Sequence, residues 1–233
     1  MIVAENILIL SMTRMGDMIQ TTPLIRGLKE KNPSAKITLL VTSDFSSAVP
    51  LIPNVDESIV INLRQFDIQE NWEDISWVKI YRYLEKSLED IKSRNFALLV
   101  NLSHSKFSAL MVRLLGIKNV VGFYCNDFGN RMTGHPWMQF FSVEVFNRKY
   151  NEFNLVEIFS RSGRVDVRGR TIEVVRPQNQ LSVDTLMSFG EEDILIGFQA
   201  GSSLEDRRWP VQSFANLADM LIENLNARII IFG

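Results

Sequence analysis

The sequence has very few of the residues that build metal centres and disulfide frameworks. Its 233 residues include one cysteine, Cys125, and two histidines, His104 and His135. A single cysteine cannot form an internal disulfide, which fits a protein of the cytoplasm. So few potential ligands argue against a zinc cluster. We therefore expect no bound metal, no cofactor and a cytoplasmic location.

Long apolar runs and an excess of one charge are also missing. No apolar run approaches the roughly 18 to 20 residues that a membrane-spanning helix needs, and residues 1–10 lack the basic region of a signal peptide. The formal net charge is -2, with 46% hydrophobic and 22% charged residues, which is the composition of a folded soluble protein. Electrostatics therefore gives no reason to expect a nucleic-acid partner.

Several common catalytic and nucleotide-binding motifs are absent as well. The sequence contains neither a P-loop nor the G-x-G-x-x-G fingerprint, which argues against a nucleotide-dependent sugar epimerase or dehydrogenase. It has no G-x-S-x-G motif and no D-x-D pair of the kind that holds a cation on a sugar diphosphate. Any function of this chain must therefore rest on other residues.

Apolar strands alternate with amphipathic helices along the chain. We predict strands over residues 6–11, 35–41, 57–62, 96–102, 118–123, 194–201 and 227–232, and helices over residues 17–31, 77–94, 154–163 and 213–225, with a further helix ending at Gly116. Residues 129–136 are predicted to form a loop. At Pro23, the helix either kinks or restarts with Thr22 as N-cap and Pro23 at the first helical position. The alternation predicts parallel sheets with helices on both faces.

A change of composition after residue 163 divides the chain into two parts. Residues 164–180 are polar and basic, as in a linker or an edge strand, and their charges indicate either a solvated surface or a lipid-facing patch. We predict an N-terminal domain over residues 1–165, a linker over 166–190 and the start of a second domain over 191–233. Two strands and one helix cannot cover both faces of an open sheet, so this second domain is expected to be incomplete.

The first candidate site is the loop SMTRMGDM, residues 11–18, between the first strand and its helix. Ligands of open parallel sheets bind beyond the carboxyl ends of the strands, which is where this loop lies. Gly16 would let the backbone approach a ligand closely. Asp17 is either a helix N-cap, worth about 0.5–2 kcal/mol, or a catalytic base. Its position in the sequence leaves both interpretations open.

The second candidate site is GFQAGSSLEDRRWP, residues 197–210, which also follows a strand. Gly201, Ser202 and Ser203 would offer backbone N–H groups and hydroxyls to phosphate oxygens. Arg207 or Arg208 would add a charge-assisted hydrogen bond worth about 1.5–3 kcal/mol.

An ordinary surface loop is the alternative for the same segment. An arginine would then pair with Glu205 or Asp206, and Trp209 would only pack against the start of the helix. His104 and Lys106, which follow another strand, are weaker candidates for a cleft residue, because a solvated loop explains them equally well.

Taken in order, these segments resemble glycosyltransferase family 9, the ADP-heptose:lipopolysaccharide heptosyltransferases. Residues 7–41 are similar to the family's opening strand, Gly-Asp, Thr-Pro and second strand. Residues 98–123 are similar to its fourth strand and following helix, and residues 196–233 to the start of its C-terminal domain. The likeness spans nearly the whole chain.

The resemblance implies a GT-B architecture of the α/β class, in which two Rossmann-like domains with parallel sheets face each other across a cleft. It also implies metal-independent, inverting sugar transfer. Asp17 falls on the family's catalytic acid and would act as general base. Gly201, Ser202 and Ser203 fall where the family holds the donor phosphates, and Arg207 falls where many members have lysine.

The function implied by the resemblance is transfer of a heptose or a related sugar from a nucleotide-sugar donor, ADP-heptose in the family. The acceptor would be a lipid-linked saccharide of the lipopolysaccharide type, reached through peripheral contact with the inner face of the cytoplasmic membrane. The family's remaining donor-binding loop has no counterpart in these residues, so we expect the chain alone to be inactive. The alternative is a non-catalytic module that binds a sugar nucleotide or a partner subunit.

Overall fold

A computed structural model describes residues 4–66, 77–147, 152–176, 190, 194–202 and 205–232. The chain divides into two compact units, Met1–Pro177 and Gln178–Gly233.

The first unit is built on a six-stranded sheet with the strand order β3-β2-β1-β4-β5-β6. Its strands are β1 Asn6–Leu10, β2 Lys36–Thr42, β3 Glu57–Ile61, β4 Leu98–Asn101, β5 Val120–Cys125 and β6 Arg131–Thr133. Its helices are α1 Met15–Ile19, α2 Thr22–Lys31, α3 Trp77–Ser93, α4 Lys106–Leu115, α5 Pro136–Asn147 and α6 Leu155–Ser162, with 3-10 helices at Ser43–Leu51 and Arg64–Phe66.

The apolar run of β1 is buried on both of its faces. Ile7 and Ile9 belong to a core that includes residues of α2 and α6, whereas Leu8 and Leu10 belong to a second core that includes residues of α3 and α4. Successive side chains of a strand point to opposite faces, so an uninterrupted apolar run is what a central parallel strand requires. The predicted layered α/β arrangement is confirmed.

The order of the strands places a topological switch point between β1 and β4. Strand β1 pairs in parallel with β2 on one side and with β4 on the other. The chain therefore reaches β3 at one edge of the sheet before it crosses back to the other side of β1. At such a point the loops that follow the two central strands diverge and leave a crevice between them.

The prediction that residues 129–136 form a loop was wrong in part. Strand β6 lies in this segment and pairs antiparallel with β5, with Cys125 opposite Arg131 and Phe123 opposite Thr133. Gly129, with φ of 78°, supplies the turn between them. A strand of three residues is too short to show an alternating pattern, which is why the sequence did not reveal it.

Pro23 separates two helices rather than kinking one, so the second alternative for residues 17–31 is confirmed. Helix α1 ends at Ile19, and α2 restarts at Thr22 with Pro23 in its first turn. The N-cap residue is Thr21, one position earlier than predicted, and it makes no side-chain cap hydrogen bond. Its hydroxyl instead donates to the carbonyl oxygen of Met18 at 2.6 Å, which closes the step between the helices.

Residues 164–176, called the strap below, run along α2 in the opposite direction. Lys31 of α2 donates to the carbonyl oxygen of Arg164, Glu30 binds Arg170, Arg26 pairs with Glu173, and Thr22 accepts the backbone N–H of Glu173. At Gly27, a Cβ atom would lie 2.1 Å from a methyl group of Val165. The strap thus packs on the first unit along a helix that needs glycine at the point of contact.

The second unit contains β7 Leu195–Gln199, a 3-10 helix at Glu205–Arg207, α7 Val211–Leu225 and β8 Arg228–Phe232. Strands β7 and β8 are parallel, and α7 lies between them in the chain. Phe198 and Ala227 are buried, whereas Val211 and Ile231 are exposed by 86% and 73%. The predicted strands and helix are confirmed, around a core that is small.

Candidate functional site

Asp17 is the third residue of α1 and not its N-cap. The N-cap is Arg14, which has extended backbone angles and makes no side-chain cap hydrogen bond. The carboxyl group of Asp17 instead accepts the backbone N–H of Arg14. This is the returning half of a capping box, and it uses one of the several lone pairs of the carboxylate.

Burial makes the carboxyl group of Asp17 more basic than that of a surface aspartate. Its side chain is half-buried, and this desolvation raises its pKa above the usual 3.8. The charge and the backbone N–H of Arg14 lower the pKa, but they do not offset the effect of burial. A carboxylate with a raised pKa at the mouth of a parallel strand has the property that a general base needs.

Gly16 lies next to Asp17 on the exposed side of the same loop. A Cβ atom built there would meet no other atom within 4 Å. Its φ angle is not among the positive ones, so nothing in the described residues requires glycine at this position. A ligand that approaches the backbone closely would require it.

The loop after β4 lies beside the loop after β1 and is tied to it. The backbone N–H of Met12 donates to the Ser103 hydroxyl at 2.6 Å. Buried Asn101 accepts the backbone N–H of Ser103 at 3.0 Å and donates to the carbonyl oxygen of Phe123 at 2.8 Å. Ser108 donates to the carbonyl oxygen of Ser103 at 3.0 Å. These bonds fix both loops at the switch point, so the backbone around Asp17 is preorganised.

His104 lies in the same loop and holds Arg131 of the β5–β6 hairpin. Arg131 donates to Nδ1 of His104 at 2.8 Å, and its guanidinium lies 5.1 Å from the centre of the Phe123 ring. With Nδ1 as acceptor, the imidazole proton is on Nε2. Burial and the positive charge of Arg131 both lower the pKa of His104, which favours the neutral imidazole. Lys106, the other residue predicted after this strand, is the exposed first residue of α4.

In the second unit, the two arginines of the loop after β7 differ in their contacts. Arg208 donates through Nε to the carbonyl oxygen of Ser202 at 2.9 Å, which braces the loop. Arg207 is exposed, and among the described residues its side chain forms no ion pair with Glu205 or Asp206. Its charge is therefore available to a ligand.

The remaining residues of this loop lie at the start of α7. Gly201 is exposed, and a Cβ atom there would have one neighbour, Nε2 of Gln199, at 3.9 Å. Trp209 packs against Phe214 with ring centres 4.9 Å apart, as the surface-loop alternative proposed. Ser203 lies outside the described residues. The N-cap of α7 is Pro210, which makes no side-chain cap hydrogen bond.

The structure thus brings Gly16 and Asp17 together on the first unit, and Gly201, Ser202 and Arg207 together on the second. Sequence reasoning missed Asn101, Ser103 and Arg131. A signal for the first two was present, because the polar run NLSHS directly follows an apolar strand. No such signal marked Arg131, because it reaches the site through an unpredicted hairpin.

The described residues offer neither a metal-binding cluster nor a membrane-spanning helix. No group of three or more histidine, cysteine, aspartate or glutamate side chains there is placed to hold a metal ion. No helix in this part of the chain has both the length and the apolar character to cross a membrane.

Comparison with known proteins gives matches among solved structures. No protein-family model and no curated protein matches the sequence. A glycosyl transferase family 9 protein from Veillonella parvula superposes with a TM-score of 0.69 at 18% identity, over 98% of this chain and 63% of its own. E. coli ADP-heptose lps heptosyltransferase II gives 0.62 at 20% identity, over 98% of this chain and 64% of its own.

A third solved structure, E. coli heptosyltransferase WaaC with ADP-2-deoxy-2-fluoro heptose, gives a TM-score of 0.60 at 18% identity, over 98% of this chain and 69% of its own. The chain therefore spans somewhat less than two thirds of the length of the first two. The agreement covers both units, and it is an agreement of folds at identities of 18 to 20%. The resemblance drawn from the sequence is confirmed at this level: the chain has the GT-B fold of these glycosyltransferases.

Proposed function

We propose that the protein is a glycosyltransferase that moves a heptose or a related sugar from a nucleotide-sugar donor to a saccharide acceptor. The observation that carries this proposal is Asp17, a half-buried carboxylate with a raised pKa at the switch point of the first unit. The fold shared with solved glycosyltransferases supports it. ADP-heptose is the proposed donor, because the names of similar structures include ADP-heptose and ADP-2-deoxy-2-fluoro heptose.

In the proposed mechanism, Asp17 acts as general base in a single inverting displacement. Its carboxylate takes the proton of an acceptor hydroxyl while that oxygen forms a bond to the anomeric carbon of the donor sugar. The bond from the anomeric carbon to the diphosphate breaks, and the nucleoside diphosphate leaves with the electron pair. No metal takes part. A base of this kind contributes about 10²–10⁴ in rate.

The second unit would hold the donor. Gly201, Ser202 and Ser203 would bind the diphosphate oxygens together with the uncapped start of α7, whose helix dipole favours negative charge. Arg207 would neutralise the charge that builds on the departing diphosphate. A guanidinium where many relatives have lysine keeps the charge but contacts the phosphates through a planar fork.

The proposed acceptor is a lipid-linked saccharide of the lipopolysaccharide type. The protein would then work in the cytoplasm, in peripheral contact with the inner face of the membrane. Because the chain spans 63% of the Veillonella protein, the activity is proposed for the full-length protein, and the 233-residue chain alone is expected to give no turnover.

The test is a screen of nucleotide-sugar donors on the full-length protein, with wild type and Asp17→Asn compared. Asparagine still accepts the N–H of Arg14 but cannot take a proton, so transfer is expected to fall by about 10²–10⁴ while donor affinity is retained. Transfer is measured as release of nucleoside diphosphate, and donor affinity by calorimetry.

Asp90→Asn is the matched control, because Asp90 is an exposed aspartate on α3 that pairs with Arg94 at 3.0 Å. It is expected to transfer at the wild-type rate. Wild-type transfer by Asp17→Asn would refute the assignment of the base. Donor binding without transfer by the wild type would instead favour a non-catalytic sugar-nucleotide module.

A further inference from the structure

A cationic groove lies on the first unit at the edge of the sheet opposite to Asp17. Its volume is ≈ 530 Å³, and it is lined by Trp137, Arg161, Arg164, Val165, Asp166 and Arg168. Asp17 follows the carboxyl end of β1. Strand β6 runs antiparallel to β5, so the chain after it lies near the amino ends of the parallel strands, and the groove lies at that end. A strand of five residues spans roughly 16 Å, so the groove is separate from the candidate catalytic site.

Arg161 is held in the groove by an aromatic ring. Its guanidinium lies 4.8 Å from the centre of the Trp137 ring, and its Nε atom is buried without a hydrogen-bond partner among the described residues. The nearest carboxylate, Glu157, is 3.9 Å away and also accepts the backbone N–H of Asn154 in a capping box. Arg161 is therefore oriented by packing while its charge is only weakly neutralised.

Arg164 lies beside it on a fixed piece of backbone. Its φ angle is 57°, its N–H donates to the carbonyl oxygen of Arg161 at 2.9 Å, and its own carbonyl oxygen accepts from Lys31. Its guanidinium forms no ion pair with any described residue. Burial, and to a lesser extent the charge of Arg164, lowers the pKa of nearby His135.

The single carboxylate of the groove is already bound. Asp166 accepts from Nε of Arg168 at 3.0 Å and from its terminal nitrogen at 2.7 Å, and these bonds hold the pKa of Asp166 at about 2. Asp166 is thus fully ionised at neutral pH and committed to Arg168. Arg164 therefore has no acidic partner among the described residues, and Arg161 has only the long contact with Glu157 at 3.9 Å.

We propose that this groove binds a phosphoryl group between Arg161 and Arg164. A phosphomonoester carries a charge of roughly -1.5 to -2 and three acceptor oxygens. It therefore matches two guanidinium groups that have N–H donors without acceptors among the described residues. A carboxylate brings one charge and two oxygens, so it matches less well. The proposal is independent of the transferase proposal, because it uses none of the same residues.

The test is a calorimetric titration of inorganic phosphate into the 233-residue protein at low ionic strength. Wild type is expected to bind, and Arg164→Gln and Arg161→Gln are each expected to weaken binding about ten-fold. Arg113→Gln is the matched control, because Arg113 is a surface arginine on α4 that pairs with Asp127 at 2.6 Å. Acetate, as the carboxylate probe, is expected to bind at least about ten-fold more weakly than phosphate.

A second arm distinguishes free phosphate from a lipid headgroup. Flotation with vesicles that contain phosphatidic acid, whose headgroup is a phosphomonoester, is compared with flotation with phosphatidylcholine vesicles. Binding of inorganic phosphate that depends on Arg164 supports the proposal with a soluble ligand, and binding to the anionic vesicles alone that depends on Arg164 supports it with a headgroup. Absence of both, binding unaffected by either substitution, or acetate binding as tight as phosphate binding would overturn it.

Discussion

At the scale of single residues, ionisation of the half-buried carboxyl group of Asp17 destabilises the folded state. Burial raises its pKa above 3.8, so the folded state holds the proton more tightly than the unfolded state does. The free energy of unfolding therefore falls as the pH rises through the raised pKa. Such a conflict between stability and function is common in catalytic groups, and it agrees with the role proposed for Asp17.

The direction of this pH dependence predicts how Asp17→Asn changes the free energy of unfolding, and the prediction can be tested without a substrate. The variant is expected to be more stable than wild type at pH 7. This advantage is expected to shrink as the pH falls through the raised pKa and to be lost well below 3.8, where the aspartate is protonated in both the folded and the unfolded state. Urea denaturation at a series of pH values measures it. A difference that does not change with pH would show that ionisation of Asp17 is not its cause.

Gly122 is a residue whose side chain must be absent for the sheet to form. Its φ angle is 101°, and a Cβ atom there would lie 1.9 Å from the carbonyl oxygen of Asn101 in the neighbouring strand. Because that obstacle is backbone of a central strand, Gly122→Ala is expected to cost about 4 kcal/mol or more.

Gly129→Ala is the control for this prediction, to be compared by urea denaturation. Gly129 also has a positive φ, 78°, but a Cβ atom there would meet no other atom within 4 Å. Its substitution is expected to cost only about 1–2 kcal/mol. Equal losses for the two variants would show that the contact with Asn101 carries no weight.

At the scale of elements, α2 and the strap are fitted to each other at Gly27 and Val165. Gly27→Ala would improve helix propensity by about 1 kcal/mol, but the new methyl group would meet Val165. We expect a net destabilisation of about 1–3 kcal/mol. In a Val165→Ala background the same substitution is expected to become stabilising, because the obstacle is gone.

A double-mutant cycle by urea denaturation measures this change of sign. A Gly27→Ala effect that is equal in both backgrounds would contradict the fit between helix and strap.

The elements differ in how far the sequence could predict them. Long apolar runs and amphipathic periods identified β1, β2 and α3, because burial of a whole face leaves a pattern in the residues. The effect of Pro23 was ambiguous, because the absence of the N–H group in proline can either kink one helix or separate two helices. The path of the strap could not be predicted, because its contacts with α2, the polar pairs and the packing of Val165 on Gly27, join segments far apart in the chain.

At the scale of the whole molecule, the two units differ in how much core each one has. The first has buried cores on both faces of its sheet. In the second, no residue of α7 is buried. Hydrophobic burial is the main favourable term in folding, so the units are expected to differ strongly in stability when separated.

Expression of residues 1–177 and of residues 190–233 as separate chains tests this expectation. The first is expected to unfold cooperatively in urea with a midpoint close to that of the full chain, and the second to show no cooperative transition by circular dichroism. Cooperative unfolding of the second piece alone would contradict it.

The candidate site could be predicted only as two separate loops. Each loop was recognisable because polar and small residues follow an apolar strand, and Asp17 was proposed as a site residue in this way. That the β1 loop lies beside the β4 loop depends on the strand order, which no single segment encodes. The polar run after β4 marked Asn101 and Ser103 but not the loop that Ser103 contacts, and Arg131 was missed because it lies in the unpredicted β5–β6 hairpin.

Helix α2 is covered on two sides, and this matters for anyone who modifies the protein chemically. By periodicity, Arg26 and Glu30 belong to its outward face and would be chosen as harmless positions for a fluorophore or a cross-linker. In the folded chain they pair with Glu173 and Arg170 of the strap. A label at either position would release that segment from the helix, and a signal attributed to a ligand would then report damage done by the probe.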